Sequence, residues 1–318
     1  MTRAIPSALR RARDTVAARL ANPPAPLPRA AGLLGATAAL VAIAVLAGVL
    51  VGPIGGLSAT GATRGPTLLR APGQAPFLVA HRGDRWDAPE STLPAFEAGL
   101  AAGARILETD VRLTADGVPV LLHDADVDRT TDGTGALADL TLEQVRRLDA
   151  GSWFSPEFAG TRIPTLDEFL DLLAPSGASV FLEIKGAGWS ADSVADLAQR
   201  LRDRGVADRV VVSSFSTKNL RWMRAAAPEI RRALATKQLP GDVPGMLDAV
   251  GAQVLLTLPE SLEARPGLVG DLHRAGYSIV VFTPNSRVRW AETVELGVDG
   301  LVSDRPADFL AWAAARIP

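Results

Sequence analysis

The sequence predicts an α/β fold: a (β/α)8 TIM barrel with a small inserted subdomain after its third strand, preceded by one N-terminal transmembrane helix. Three observations predict it. From Pro76 onward, short apolar runs alternate with amphipathic stretches, unusual polar residues fall at the ends of those runs, and an uncharged apolar block sets the first residues apart from the rest. Repeated strand–helix units in one domain of this size favour a barrel. A doubly wound open sheet is the alternative, but no Gly-x-Gly-x-x-Gly follows the first run.

Residues 1–29 carry six arginines (Arg3, Arg10, Arg11, Arg13, Arg19 and Arg29) against Asp14, a net of +5, so the remainder sums to −7 within a chain total of −2. Residues 30–63 contain no charged side chain, and 32–51 are rich in Leu, Val, Ile and Ala. About 20 apolar residues span the hydrocarbon as a helix, and a helix satisfies its own backbone there. Residues 30–52 are therefore read as a transmembrane helix ended by Pro53 and Gly55-Gly56. The arginine-rich side marks 1–29 as cytoplasmic and places the following domain outside. A cleaved secretory signal is the other possibility, with small residues at Ser58-Ala59-Thr60; both readings export the domain. Residues 53–75, rich in Gly, Pro, Ala and Thr, read as a linker.

The barrel is expected over 76–318. Its strand candidates are the runs 77–80, 105–111, 118–122, 180–184, 210–213, 232–235, 254–258 and 279–282. Helical patterns fill 93–102, 166–173, 193–204, 218–226, 265–275 and 287–296. Thr165 with Glu168 has a capping-box pattern, as does Thr141 with Glu143-Gln144 less exactly, and Pro94 suits a first helical turn. Residues 124–164 break the rhythm and read as the insertion. Its aspartates (Asp126, Asp128, Asp132) lack calcium-loop spacing and read as turn residues. Its aromatics, Trp153, Phe154 and Phe158, read as a small core.

Composition excludes several chemistries. With no cysteine there are no disulfides, thiolate metal sites or thiol nucleophile. An acidic domain is a poor nucleic-acid partner.

The polar residues at strand ends carry the functional signal. His81-Arg82 follows the first run, Glu108 and Asp110 lie on the second, His123 follows the third, and Glu183 and Lys185 belong to the fourth. A barrel gathers these ends at one mouth. Alternate strand residues share a face, so Glu108 and Asp110 point the same way. Three carboxylates there repel one another, and a hard divalent cation, Mg2+ or Ca2+, relieves this. Arg82 and Lys185 can balance phosphate charge, and two histidines can serve as acid and base. His273, in a helical stretch without a motif, reads as surface or packing.

The chain resembles the glycerophosphodiester phosphodiesterases. The matching words are His81-Arg82-Gly83, Pro89-Glu90-Ser91-Thr92, Glu108-Thr109-Asp110-Val111, His123-Asp124, Asp128-Arg129-Thr130-Thr131, Glu183-Ile184-Lys185, Gly297-Val298-Asp299-Gly300 and Asp304-Arg305-Pro306. Together they span about 76–312. The resemblance implies a barrel with a family-specific insertion at about 124–164. It implies His81 and His123 as the acid–base pair, and Glu108, Asp110 and Glu183 as metal ligands. Glu90 is implied near the metal, and Arg82 and Lys185 on the phosphate. The products implied are sn-glycerol 3-phosphate and an alcohol. Two positions depart from the family pattern. Ser91 stands where Asn is usual and is expected to cap the next helix. Phe282 stands where Trp is frequent, keeping an apolar substrate wall without an indole donor. The expected partner is a small-molecule or lipid-derived phosphodiester. A lysophospholipase D-like lipid phosphodiesterase and an inactive surface-binding module are the alternatives.

Overall fold

The computed structural model describes residues 68–70 and 74–316. The arginine-rich segment 1–29 and the expected transmembrane helix 30–52 lie outside the described residues. Among the described residues, no helix is long and apolar enough to cross a membrane.

Nine strands form one sheet: β1 (Phe77–Ala80), β2 (Ile106–Leu113), β3 (Pro119–Leu121), β4 (Ser179–Ile184), β5 (Val210–Ser214), β6 (Arg231–Ala235), β7 (Val254–Thr257), β8 (Ser278–Phe282) and β9 (Gly300–Ser303). Eight of them, all but β3, pair in parallel, and β1 joins both β2 and β9, closing the barrel. The principal outer helices are α1 (Leu93–Ala101), α3 (Leu166–Ser176), α4 (Ala191–Asp203), α5 (Thr217–Ala226), α6 (Val243–Val250), α8 (Leu268–Arg274), α9 (Arg287–Leu296) and α10 (Pro306–Ala314). Two shorter ones are α2 (Leu142–Val145), in the insertion, and α7 (Pro259–Glu263), just ahead of α8.

Two strand expectations need correction. The run at 118–122 is not the third barrel strand. It is β3, antiparallel to β2, with Val111 opposite Leu121. Only a tight turn, closed by Thr114 and Val118, links the two strands, whereas a parallel crossover needs a dozen or more residues. The last barrel strand is β9, whose Gly-Leu-Val-Ser sequence holds only two large apolar residues and so does not stand out as an apolar run. The insertion therefore lies between the barrel strands β2 and β4.

Each strand alternates its faces. On β4, Val180, Leu182 and Ile184 pack outward under the helices, while Phe181 joins Val79, Val211, Ala233, Val254, Leu256, Val280 and Val302 inside the barrel. Glu108 is in register with Phe181, and Asp110 with Glu183. The barrel interior thus changes from apolar below to acidic at the C-terminal ends of the strands.

Both capping boxes form: Thr165 accepts from the Glu168 amide at 3.2 Å and Thr141 from that of Gln144 at 3.4 Å. Ser91 does not cap α1. It adopts a left-handed φ of 56° and its hydroxyl is buried without a partner; Thr92 is the N-cap residue. Asn tolerates that backbone region better than Ser, which gives the usual Asn a reason unrelated to capping. The insertion's core is aliphatic, built from Val120, Leu122, Val127, Leu137, Val145, Ala150 and Ile163. Trp153, Phe154 and Phe158 instead stack edge to face outside it, Trp153 being exposed. The turn assignment of Asp128 and Asp132 fits their bonds to the amides of Gly135 and Asp149.

Ahead of β1, Leu68 packs against the apolar cluster inside the barrel. The Arg70 amide donates to Asp299 at 2.7 Å. Residues 68–70, expected as linker, form part of the barrel floor.

Candidate active site

The C-terminal mouth holds a cavity of about 240 Å3 lined by His81, Arg82, Glu108, Asp110, His123, Glu183, Lys185 and Phe282 on the side chains anticipated from sequence. Those eight come from β1, β2, β4, β8 and the segment after β3. Closure of the barrel brings them together.

Local structure explains the first of them. After β1 the chain turns sharply, with Arg82 at φ 55° and Gly83 at φ 81°. A Cβ on Gly83 would sit 2.5 Å from the Ala95 carbonyl carbon, so α1 can approach only a glycine. This turn aims the Arg82 amide at Glu108 Oε2, 2.9 Å away. His81 Nδ1 meets Asp304 Oδ1 at 2.5 Å, and Asp304 Oδ2 accepts from Asn285 Nδ2 at 2.7 Å. The ring's other nitrogen lies 3.9 Å from Glu108 Oε2. His123 Nδ1 is held by Asp124 at 2.6 Å, and its carbonyl accepts from Arg112.

Glu108, Asp110 and Glu183 are all buried, and one oxygen from each falls within 4.8 Å of the others. Lys185 Nζ approaches Asp110 at 3.1 Å and Glu183 at 3.4 Å; Arg82 Nε lies 3.3 Å from Asp110. Burial, reinforced by Asp110, pushes Glu183 up to about 7 and Glu108 well above the usual carboxylate range. Burial acts the same way on Asp110, but Lys185 and Arg82 outweigh it and hold that carboxyl low. Burial lowers both His81 and His123, while the aspartates at their Nδ1 atoms, Asp304 and Asp124, act in the opposite direction and favour the protonated ring.

Glu90 does not line the cavity. It sits behind Arg82 and gathers three guanidiniums: Arg82 at 2.7 Å, Arg85 at 2.6 Å and Arg129 at 2.7 Å. Against the effect of burial, Arg129 and its neighbours pull Glu90 down to about 2. Arg129 also binds Asp124 at 2.5 Å, so a residue of the insertion connects Glu90 to the support of His123.

Several residues at this mouth carry no role in the sequence reading. Phe215, Lys237, Leu256, Thr283 and Val302 complete the lining, while Asp304 and Asn285 stand behind His81. Phe215 and Lys237 directly follow β5 and Thr236 after β6, the same kind of strand-end position as His81. Asp304 follows β9 in the same way, a signal hidden while β9 was unrecognised.

The donor set is all oxygen, three carboxylates crowd together, and Asp110 Oδ2 is buried without a hydrogen bond. These features fit a hard divalent cation. With two histidines and two cations beside them, at the functional end of a (β/α)8 barrel, they have the makings of a metal-assisted hydrolase of anionic substrates, such as phosphoric esters. The comparisons with known proteins narrow the class. The glycerophosphoryl diester phosphodiesterase family matches residues 81–308. A glycerophosphodiester phosphodiesterase of Caldanaerobacter subterraneus is 34% identical over 235 residues, covering 74% of this chain and 96% of its own. A phosphodiesterase of Oleispira antarctica, solved in complex with the product sn-glycerol-3-phosphate, is 30% identical with a TM-score of 0.71, over 76% of this chain and 97% of that one. A glycerophosphodiester phosphodiesterase structure from Agrobacterium tumefaciens is 31% identical with a TM-score of 0.64, over 74% and 99%. The chain belongs to the glycerophosphoryl diester phosphodiesterase family of phosphoric diester hydrolases.

Proposed function

We propose that this protein hydrolyses glycerophosphodiesters to sn-glycerol 3-phosphate and an alcohol, with His81 and His123 as acid–base pair and a divalent cation, Mg2+ or Ca2+, on Glu108, Asp110 and Glu183. The observation that carries the proposal is the meeting of both histidines with the buried carboxylate triplet in one cavity. When bound, the cation supplies Lewis-acid polarisation of the phosphoryl oxygens. Arg82 and Lys185 line the same cavity and neutralise phosphate charge.

Each histidine has Nδ1 tied to an aspartate, which leaves Nε2 for proton transfer. One ring takes the proton of the glycerol hydroxyl next to the ester as that oxygen attacks phosphorus. The other gives a proton to the departing alcohol oxygen. Water then opens the cyclic phosphate with the two proton transfers reversed. Such acid–base catalysis contributes about 10^2–10^4-fold. Phe282, facing Phe215 with ring centroids 6.1 Å apart, supplies an apolar wall for the substrate.

We further propose that residues 30–52 anchor the chain in a membrane with the barrel on the extracytoplasmic side. The support is the charge-free stretch 30–63 and the arginines confined ahead of it.

The test is release of glycerol 3-phosphate from glycerophosphocholine by the purified full-length chain, with chelator and with Mg2+ or Ca2+ restored. Turnover that returns with metal and is absent in His81→Ala supports the reaction and the site. Turnover indifferent to chelator removes the metal from the proposal. A substrate lacking the neighbouring hydroxyl, if cleaved equally fast, replaces the cyclic route with direct attack by water.

A further inference from the structure

The cavity is built in two unlike halves. The β1–β4 side offers acceptors and charge: His81, Glu108, Asp110, His123 and Glu183, with Arg82 and Lys185 paired to carboxylates. The β5–β9 side offers Phe215, Leu256, Phe282 and Val302, the Thr283 hydroxyl, and one cation, Lys237. Among the described residues, no carboxylate forms an ion pair with the Lys237 ammonium, whereas both other cationic side chains of the cavity are paired. Lys237 and Phe215 also line a second, open cleft of about 470 Å3 with Thr236 and Gln238. The cavity and the cleft thus meet at these two side chains. Phe215 is 45% exposed there, an aromatic face left uncovered beside an unpaired ammonium.

Small-molecule sites usually enclose about 300–1,000 Å3. At about 240 Å3, the cavity accommodates the reacting half of a diester, and the rest must leave through a gap. The glycerol half has hydroxyls to satisfy and takes the acceptor-rich side. The alcohol half then passes Phe215 and Lys237 into the cleft.

We infer that Lys237, with Phe215 and Gln238, forms a subsite for the alcohol half of the diester and selects alcohols that carry a second anionic group, such as a further phosphate. This rests on the phosphodiesterase reading and names its substrate class. The cleft offers a lysine and no carboxylate, so an anion gains a partner there and a quaternary ammonium is repelled. The surrounding domain is acidic (−7 outside residues 1–29), which gives an isolated cation at the mouth more discriminating value than it would have on a basic surface.

Two substrates that differ only beyond the scissile ester test this. Glycerophosphoglycerol has an uncharged alcohol; bis(glycerophospho)glycerol extends the same alcohol by a second phosphodiester. The ratio of their kcat/KM values, halved for the two equivalent esters of the larger one, is measured at low salt on the full chain. The wild type is expected to favour the dianion roughly fivefold, the scale of one partly exposed charge pair. Lys237→Gln should bring the ratio to about 1, Lys237→Glu below 1, and Lys237→Arg should preserve it. Kd values for both compounds, measured calorimetrically on the His81→Ala background, should repeat the pattern without turnover. Good turnover of glycerophosphoglycerol with a ratio near 1, or a ratio indifferent to Lys237, overturns the subsite and leaves the proposed function standing. If neither compound is turned over, and glycerophosphocholine is not turned over either, the proposed function itself is overturned.

Discussion

Strand β9 has a histidine–aspartate pair at each end, and the two pairs do different work. Below it, His273 Nε2 meets Asp299 Oδ2 at 2.9 Å; above it, His81 Nδ1 meets Asp304 Oδ1 at 2.5 Å. Asp299 is fully buried and also accepts the amides of Ile279 and Arg70, both at 2.7 Å. Its oxygens are committed to backbone from β8 and from the segment before β1, so the pair staples the closure of the barrel. Asp304 is held by a side chain, Asn285, and its histidine faces the cavity. The same chemistry is structural where backbone donors saturate the carboxylate, and positions a reactive ring where one ring nitrogen remains open to the cavity.

The comparison breaks most visibly at the rings. His81→Ala should lower kcat about 10^3-fold, within the range acid–base catalysis supplies, while thermal unfolding stays nearly unchanged. Equal loss of stability and activity in that variant would erase the distinction. Asp299→Ala strips the acceptor from three donors and should cost about 3–5 kcal/mol, as losing one partner of a buried charged network does; denaturant titration measures it. Turnover per folded molecule should survive.

The crowded carboxylates at the mouth give a pH signature. Glu183 is raised to about 7 in the folded chain from an ordinary 4.5, so between these values the native state holds more proton than the unfolded state. In the metal-free protein this group's contribution to stability is full below about pH 4.5 and is lost, on the order of 3 kcal/mol, as pH rises through 7. Saturating Mg2+ should flatten that slope, because the cation replaces the proton. An unchanged slope with Mg2+ would argue against ligation by Glu183.

Arg129→Ala tests the insertion's hold on the mouth. It releases both Asp124 and Glu90 and should lower kcat about tenfold with little change in unfolding midpoint. The smallest effect is expected at His273→Ala: about 1 kcal/mol of stability, the scale of one half-exposed hydrogen bond, with kcat within twofold. A larger kinetic effect there would show that the floor communicates with the mouth.

Much of the fold was legible because it is written locally. Alternating faces mark β2 and β4, and Thr165 with Glu168 marks a helix start. Glu108, Asp110 and Glu183 stand out as charges in apolar strands. The hairpin at 114–118 was also legible in principle, since so short a link forbids a parallel pair. Ser91 was misread because its left-handed backbone is imposed by the turn after β1, not by its own sequence neighbours.

By itself the sequence determined the barrel, its acidic mouth and the cluster of His81, His123, Arg82 and Lys185, because strand period and polarity are properties of a few adjacent residues. Tertiary structure alone decided that Asp304 meets His81 across 223 positions. It also decided that Glu90 gathers arginines behind the cavity, and that Lys237 and Phe215 face the site. The His81–Asp304 contact exists only once β9 closes onto β1, and no local pattern records which strand ends closure will make neighbours.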